Sequence, residues 1–185
     1  MSKIYNKLLD NVHVESDIRE HLFTILGYSL YCDHITEMGV REVVSTWAFL
    51  AAKPKKLISI DINYSENIEE VKLLAKEENI DFTFLKQDTI ERNFEIEKTE
   101  LLFIDTLHTY PQLKQELFQH AHNVSKYIIL HDTTTYGYIN ESNIFSSPHQ
   151  GLRAAVLEFL EENKNWVLIN SYEHNNGLGI LQRIG

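Results

Sequence analysis

Apolar residues along this chain fall into short runs that alternate with longer amphipathic stretches. Five runs read as strands: His34–Met38, Leu57–Ile60, the stretch holding Phe82, Phe84 and Leu85, Leu101–Ile104, and Tyr127–Leu130. Between them the spacing turns helical. Val43, Val44, Trp47, Ala48, Leu50 and Ala51 mark a helix that Pro54 stops, and residues 65–79 place Ile68, Val71, Leu74 and Ala75 on one face. Pro111 suits a first helical turn, continued by Leu113, Leu117 and Ala121. Ahead of the first strand, Ser16 can cap a helix that carries Ile18, Leu22, Phe23, Ile25 and Leu26, with Gly27 weakening its far end. Past residue 150 the pattern changes. Leu152–Leu160 reads as a helix, and Trp166–Glu173 and Leu178–Arg183 read as strands joined by His174-Asn175-Asn176-Gly177. An Asn-Gly pair tolerates the positive φ of a tight hairpin turn.

Strands alternating with helices predict an α/β fold. The expectation is a doubly wound, mostly parallel sheet of seven strands, covered on both faces and finished by a C-terminal antiparallel hairpin. The 185 residues suit one domain over 1–185, with a helical extension over about residues 1–32. Lys plus Arg is 17 against 27 Asp plus Glu, a formal net charge of −10. Such a surface repels phosphate backbones and anionic lipid, so neither nucleic acid nor membrane is expected as a partner. The single cysteine, Cys32, excludes an internal disulfide framework and a CxxC zinc site, and reads as a small buried residue. With no apolar h-region near Met1 and no run long enough to cross a bilayer, a cytoplasmic location is expected. A homodimer remains open.

The informative pattern is where the acids fall. Glu37, Asp61, Asp88, Asp105 and Asp132 each sit at the C-terminal end of one of the five apolar runs. Open α/β sheets bind ligands outside those ends, where strand order reverses. For any one acid a helix cap or a turn is the better explanation; for five together that explanation is weaker. The first turn, Thr36-Glu37-Met38-Gly39-Val40-Arg41-Glu42-Val43-Val44-Ser45, lacks GxGxxG, and the chain has no GxxxxGK[ST]. Acids there oppose a diphosphate and suit a cationic ligand without phosphate. S-adenosylmethionine has that chemistry. Glu37 is placed for its cationic end, amides near Ser45 for its carboxylate, Asp61 for its ribose hydroxyls and Asp88 for its adenine rim.

Glu37-x-Gly39-x-x-x-Val43-x-Ser45, Ile60-Asp61, Gln87-Asp88, Phe103-Ile104-Asp105 and Leu130-His131-Asp132-Thr133 resemble the motifs of class I S-adenosylmethionine-dependent methyltransferases. The nearest branch is the metal-dependent small-molecule O-methyltransferases, of catechol type and of sugar or macrolide type. The resemblance spans about residues 33–184 and implies a Rossmann-like methyltransferase fold. It departs from the family pattern at Val43, where the family has a second glycine. It implies cofactor contacts at Glu37, Gly39, Ser45, Asp61, Asp88 and Asp105. It also implies a divalent cation, Mg²⁺, held by Asp105, Asp132 and Thr133, although the family usually carries Asp or Asn at the last of these. Such an ion lowers the pKa of bound substrate oxygens and fixes them in place. His108 stands where catechol-type members carry a lysine base, and an imidazole can take a hydroxyl proton near neutral pH.

His131 is a second candidate base or ligand, though a histidine at a strand end is more often structural. His120 and His122 point different ways on a helix and make no metal pair. The polar stretch Thr133–Gln150 reads as a lid or a surface loop, with Tyr136, Tyr138 and Phe145 as candidate walls of the acceptor site and Gly137 as a flexible point. The function expected is methyl transfer from S-adenosylmethionine to a hydroxyl of a small molecule. Two rivals are a catalytically silent cofactor-binding module, favoured by Val43 and Thr133, and a nicotinamide-dependent oxidoreductase, disfavoured by the missing glycine motif.

Overall fold

The computed structural model describes residues 2–142 and 149–185. Among the described residues seven strands form one sheet: β1 (His34–Met38), β2 (Lys56–Asp61), β3 (Asp81–Lys86), β4 (Thr99–Ile104), β5 (Val124–His131), β6 (Trp166–Tyr172) and β7 (Leu178–Arg183). Their order is β3-β2-β1-β4-β5-β7-β6. β1 to β5 pair in parallel, and β7 runs antiparallel between β5 and β6. This is the expected doubly wound sheet with its terminal hairpin.

Strand side chains alternate between faces, and that period divides the core in two. Leu101 and Phe103 of β4 pack with Trp47, Phe49, Ile4 and Leu8 on one face. Leu102 and Ile104 pack with Leu113, Leu117, Phe159 and Trp166 on the other. The first face is covered by α1 (Lys3–Asn11), α2 (Leu22–Ser29), α3 (Val44–Ala51) and α4 (Ile68–Glu77), the second by α5 (Tyr110–His120) and α6 (Leu152–Glu162).

The N-terminal region differs in detail from the sequence pattern. Ser16 does not cap a long helix: its hydroxyl accepts only from the Ile18 amide at 3.4 Å, and a short 3₁₀ turn over Arg19–His21 precedes α2. An additional helix, α1, is capped by Ser2 and buries Ile4 and Leu8. Its apolar face spans too few turns to stand out from sequence, and it gains its stability by packing on the rest of the fold. Among the described residues no helix is long and apolar enough to cross a membrane.

Strand order reverses between β1 and β4, so the ends of these two strands frame a crevice. The Asp105 amide donates to the Met38 carbonyl at 2.8 Å and ties the two loops together. The hairpin turn carries positive φ at Asn175 (44°), Asn176 (67°) and Gly177 (96°). It leans over β5, where the Thr134 and Thr135 amides donate to the Asn176 carbonyl.

Candidate functional site

Two adjoining cavities, of about 730 and 510 Å³, open along the carboxyl edge of the sheet and share Asp17, Gly39, Arg41 and Asp105. The larger runs from Asp61 and Asp88 past Gly39 to His108, Asp132 and Tyr136. The smaller is walled by Val14–Arg19 and by the loop from Gly39 to Ser45. An Arg41–Asp17 ion pair at 3.0 Å crosses between them.

Gly39 is required by the close approach of β1 and β4. It has φ +84°, and a Cβ placed there would lie 1.9 Å from the Asp105 carbonyl oxygen. The loop beyond it stays left-handed at Arg41 (φ 45°) and Val43 (φ 61°). Val43 thus holds the backbone conformation that glycine would adopt freely, at the strain a β-branched residue feels there. The loop keeps its course because the Val43 side chain is buried in the core.

The five strand-end acids do not share one role. Asp61 stands on the cleft and holds the loop: Oδ2 accepts from the Val40 and Arg41 amides at 2.8 and 3.2 Å, and Oδ1 from the Asn63 amide at 2.8 Å. Asp88 is exposed on the cleft rim and accepts from the Ile90 amide. Glu37 does not reach the cleft. It is fully buried and accepts from Ser45 and Ser59 at 2.6 Å and from Thr46 at 2.9 Å. Burial pushes its carboxyl up to about 7, against the pull of those three hydroxyls. The reason is strand alternation: Glu37 points into the α3 side of the sheet and pins the start of that helix. Ser45 reaches the smaller cavity, but its hydroxyl is committed to Glu37.

Asp105 and Asp132 converge as expected, and two imidazoles join them. His108 Nε2 lies 3.0 Å from both Asp105 Oδ1 and Asp132 Oδ2, and His131 Nδ1 lies 3.2 Å from the same two atoms. In a regular strand His131 and Asp132 would face opposite ways. The left-handed φ of 58° at Asp132 breaks that alternation and turns both toward Asp105. Burial disfavours both charged rings, but hydrogen bonding to the two carboxylates outweighs it, and His108 and His131 are each raised to about 10. Burial likewise opposes ionisation of Asp105 and Asp132, and the two rings hold both carboxyls below the usual range.

His108 is further fixed by Glu141, which accepts from Nδ1 at 2.9 Å and from the His108 amide at 3.1 Å. Tyr136 stacks on its ring at 5.0 Å with planes 5° apart. Glu141 and Asp17 have no distinguishing mark in sequence, since each enters from a polar segment far along the chain. Of the proposed wall residues, Tyr136 lines the cleft, Tyr138 is 71% exposed, and Phe145 lies outside the described residues. Gly137 is no flexible point. It is buried, and a Cβ there would meet the Thr133 carbonyl oxygen at 2.5 Å.

The donor set departs from an all-oxygen Mg²⁺ site. Thr133 does not line the cleft; its methyl faces Gly179 of β7, and its hydroxyl is buried without a partner. The third donor beside Asp105 and Asp132 is His131, the three ligand atoms lying within 4.8 Å of one another. A set in which imidazole nitrogen replaces the third oxygen does not fit the preference of Mg²⁺ for oxygen and water.

Neither a protein-family model nor a curated protein sequence matches this chain. Solved structures do. A Staphylococcus aureus protein provisionally named a caffeoyl-CoA O-methyltransferase is 15% identical, with a TM-score of 0.62 over 99% of this chain and 93% of its own. The N-methyltransferase NodS of Bradyrhizobium japonicum, in complex with S-adenosylhomocysteine, is 12% identical, with a TM-score of 0.60 over 98% and 99%. A Klebsiella pneumoniae protein provisionally named an O-methyltransferase is 14% identical, with a TM-score of 0.59 over 100% and 91%. At such identities the likeness is one of fold, the Rossmann-like methyltransferase fold.

Proposed function

We propose that this chain is an S-adenosylmethionine-dependent methyltransferase that acts on a hydroxyl of a small molecule, a sugar, phenol or natural product. The observation that carries this reading is a single cleft that holds the Gly39 loop and Asp61 beside the Asp105–His108–Asp132 cluster. Structures of the same fold include a methyltransferase bound to S-adenosylhomocysteine, which supports the cofactor.

The residues present fit that cofactor. Gly39 lets the β1 and β4 loops close on each other at the cleft wall, and no phosphate-binding loop adjoins it. Asp61 Oδ1, which takes one amide bond, has capacity left for a ribose hydroxyl. Asp88 stands at the adenine end, and the first turn of α3 at the methionine end. When bound, the cofactor supplies an electrophilic methyl group. The chain's own part is to orient the acceptor and to move its proton. Tyr136 and Glu141 hold the His108 ring. In its neutral form, Nε2 takes the acceptor proton, and Asp105 and Asp132 stabilise the imidazolium that forms. The acidic lining opposes anionic acceptors.

Isothermal titration with S-adenosylhomocysteine tests the cofactor, with binding expected in wild type and lost in Asp61→Ala. Release of S-adenosylhomocysteine from S-adenosylmethionine across a panel of sugars, phenols and amines tests the acceptor. No binding at millimolar ligand refutes the cofactor, and turnover with amines alone refutes hydroxyl transfer.

A further inference from the structure

Among the described residues, Asp105, Asp132 and His131 bring two carboxylates and one imidazole nitrogen within 4.8 Å of one another. We infer that this cluster is a transition-metal site, selecting a divalent ion of the Mn²⁺-to-Zn²⁺ series over Mg²⁺.

His131 is oriented as a ligand is. Its Nε2 lies 2.9 Å from the Asp17 carbonyl and 3.3 Å from the Asn175 carbonyl, so that nitrogen carries the proton and donates. The ring is thereby fixed with Nδ1 toward the carboxylates, the carbonyl-anchored arrangement usual for metal-bound histidine. Asp132 supplies the second observation. The residue is 1% exposed on the cleft, and its Oδ1 is buried with no hydrogen-bond partner. A buried carboxylate oxygen left bare is costly unless something binds it. The left-handed Asp132 backbone is what allows two consecutive residues to supply ligands to one point.

Ion choice follows from the donors. Mg²⁺ keeps oxygen ligands and water in octahedral geometry, whereas a nitrogen donor raises affinity for ions later in the first transition row. The inference stands on the geometry of the cluster and does not depend on methyl transfer.

Calorimetric titration of the chelator-treated full chain with MnCl₂, ZnCl₂ and MgCl₂ tests it. Mn²⁺ should bind roughly tenfold or more tightly than Mg²⁺, and Zn²⁺ more tightly than Mn²⁺. Pulsed EPR of the Mn²⁺-loaded wild type should show hyperfine coupling to a coordinated imidazole nitrogen. Asp132→Asn should weaken Mn²⁺ binding roughly tenfold or more while circular dichroism stays native, because asparagine tolerates the left-handed backbone. The inference is overturned by Mg²⁺ binding as tightly as Mn²⁺, by bound Mn²⁺ without nitrogen coupling, by unchanged affinity in the variant, or by no Mn²⁺ binding at millimolar concentration. S-adenosylhomocysteine titration of the same metal-free samples reports separately on the methyl-transfer reading.

Discussion

Replacing Glu37 with glutamine separates a structural acid from a ligand-binding one. An unfolded glutamate ionises near 4.5, but the buried Glu37 holds its proton up to about 7. Between those two pH values the folded chain retains a proton that the unfolded chain releases. Stability therefore falls as pH rises through that window and levels off above it. At about 1.4 kcal/mol for each tenfold change in proton affinity, the fall attributable to Glu37 totals about 3 kcal/mol. Glu37→Gln has no proton to lose. Its hydroxyl partners can rotate to meet the amide, at a cost of about 1 kcal/mol. Urea denaturation of both proteins at about pH 5 and about pH 8 reads the effect: the wild-type midpoint should drop relative to the variant by roughly 1 M or more across that range. Parallel pH dependence in the two proteins would refute the assignment of a buried, protonated carboxyl. Because Glu37 lies off both cavities, the variant should also keep its affinity for S-adenosylhomocysteine within about threefold. A large loss of affinity would return Glu37 to the cofactor site.

Gly39→Ala should cost about 2–4 kcal/mol, since the new Cβ meets the Asp105 backbone and the φ is left-handed; a thermal midpoint within error of wild type would count against the close approach. Val43→Gly should be more stable than Val43→Ala by about 1 kcal/mol, reversing the usual helix order, because both lose the buried side chain but only glycine relaxes at φ 61°; thermal melts rank them. If His108 is the base, kcat/KM should climb about tenfold per pH unit from neutrality toward its raised value of about 10, and a flat profile over that range would remove it from the role. The same raised value makes His108 a stabilising group: its contribution is full below 6.5 and is lost as pH rises through about 10, so His108→Gln should flatten the alkaline decline seen in denaturation.

Period-two and helical spacing carry the fold, because burying one face of each element is a local requirement that leaves its mark residue by residue. The five parallel strands, the Pro111 helix start and the Asn176-Gly177 turn all stand where the pattern puts them. The placement of acids after the strands is legible for the same reason, since parallel strands carry their ends to one edge. What each acid faces is not. Glu37 and Asp61 sit at the ends of neighbouring strands, yet one is sealed under α3 and the other stands on the cleft, and only the packed sheet decides which. His131 beside Asp132 reads as alternation until a single left-handed backbone angle brings both to Asp105. Asp17 and Glu141 reach the cluster from segments 88 and 36 positions from Asp105, through contacts that no local pattern encodes. Local spacing fixes which residues lie in or out of the core. Convergence of side chains on a point depends on backbone angles and long-range packing, and exists only in the folded chain.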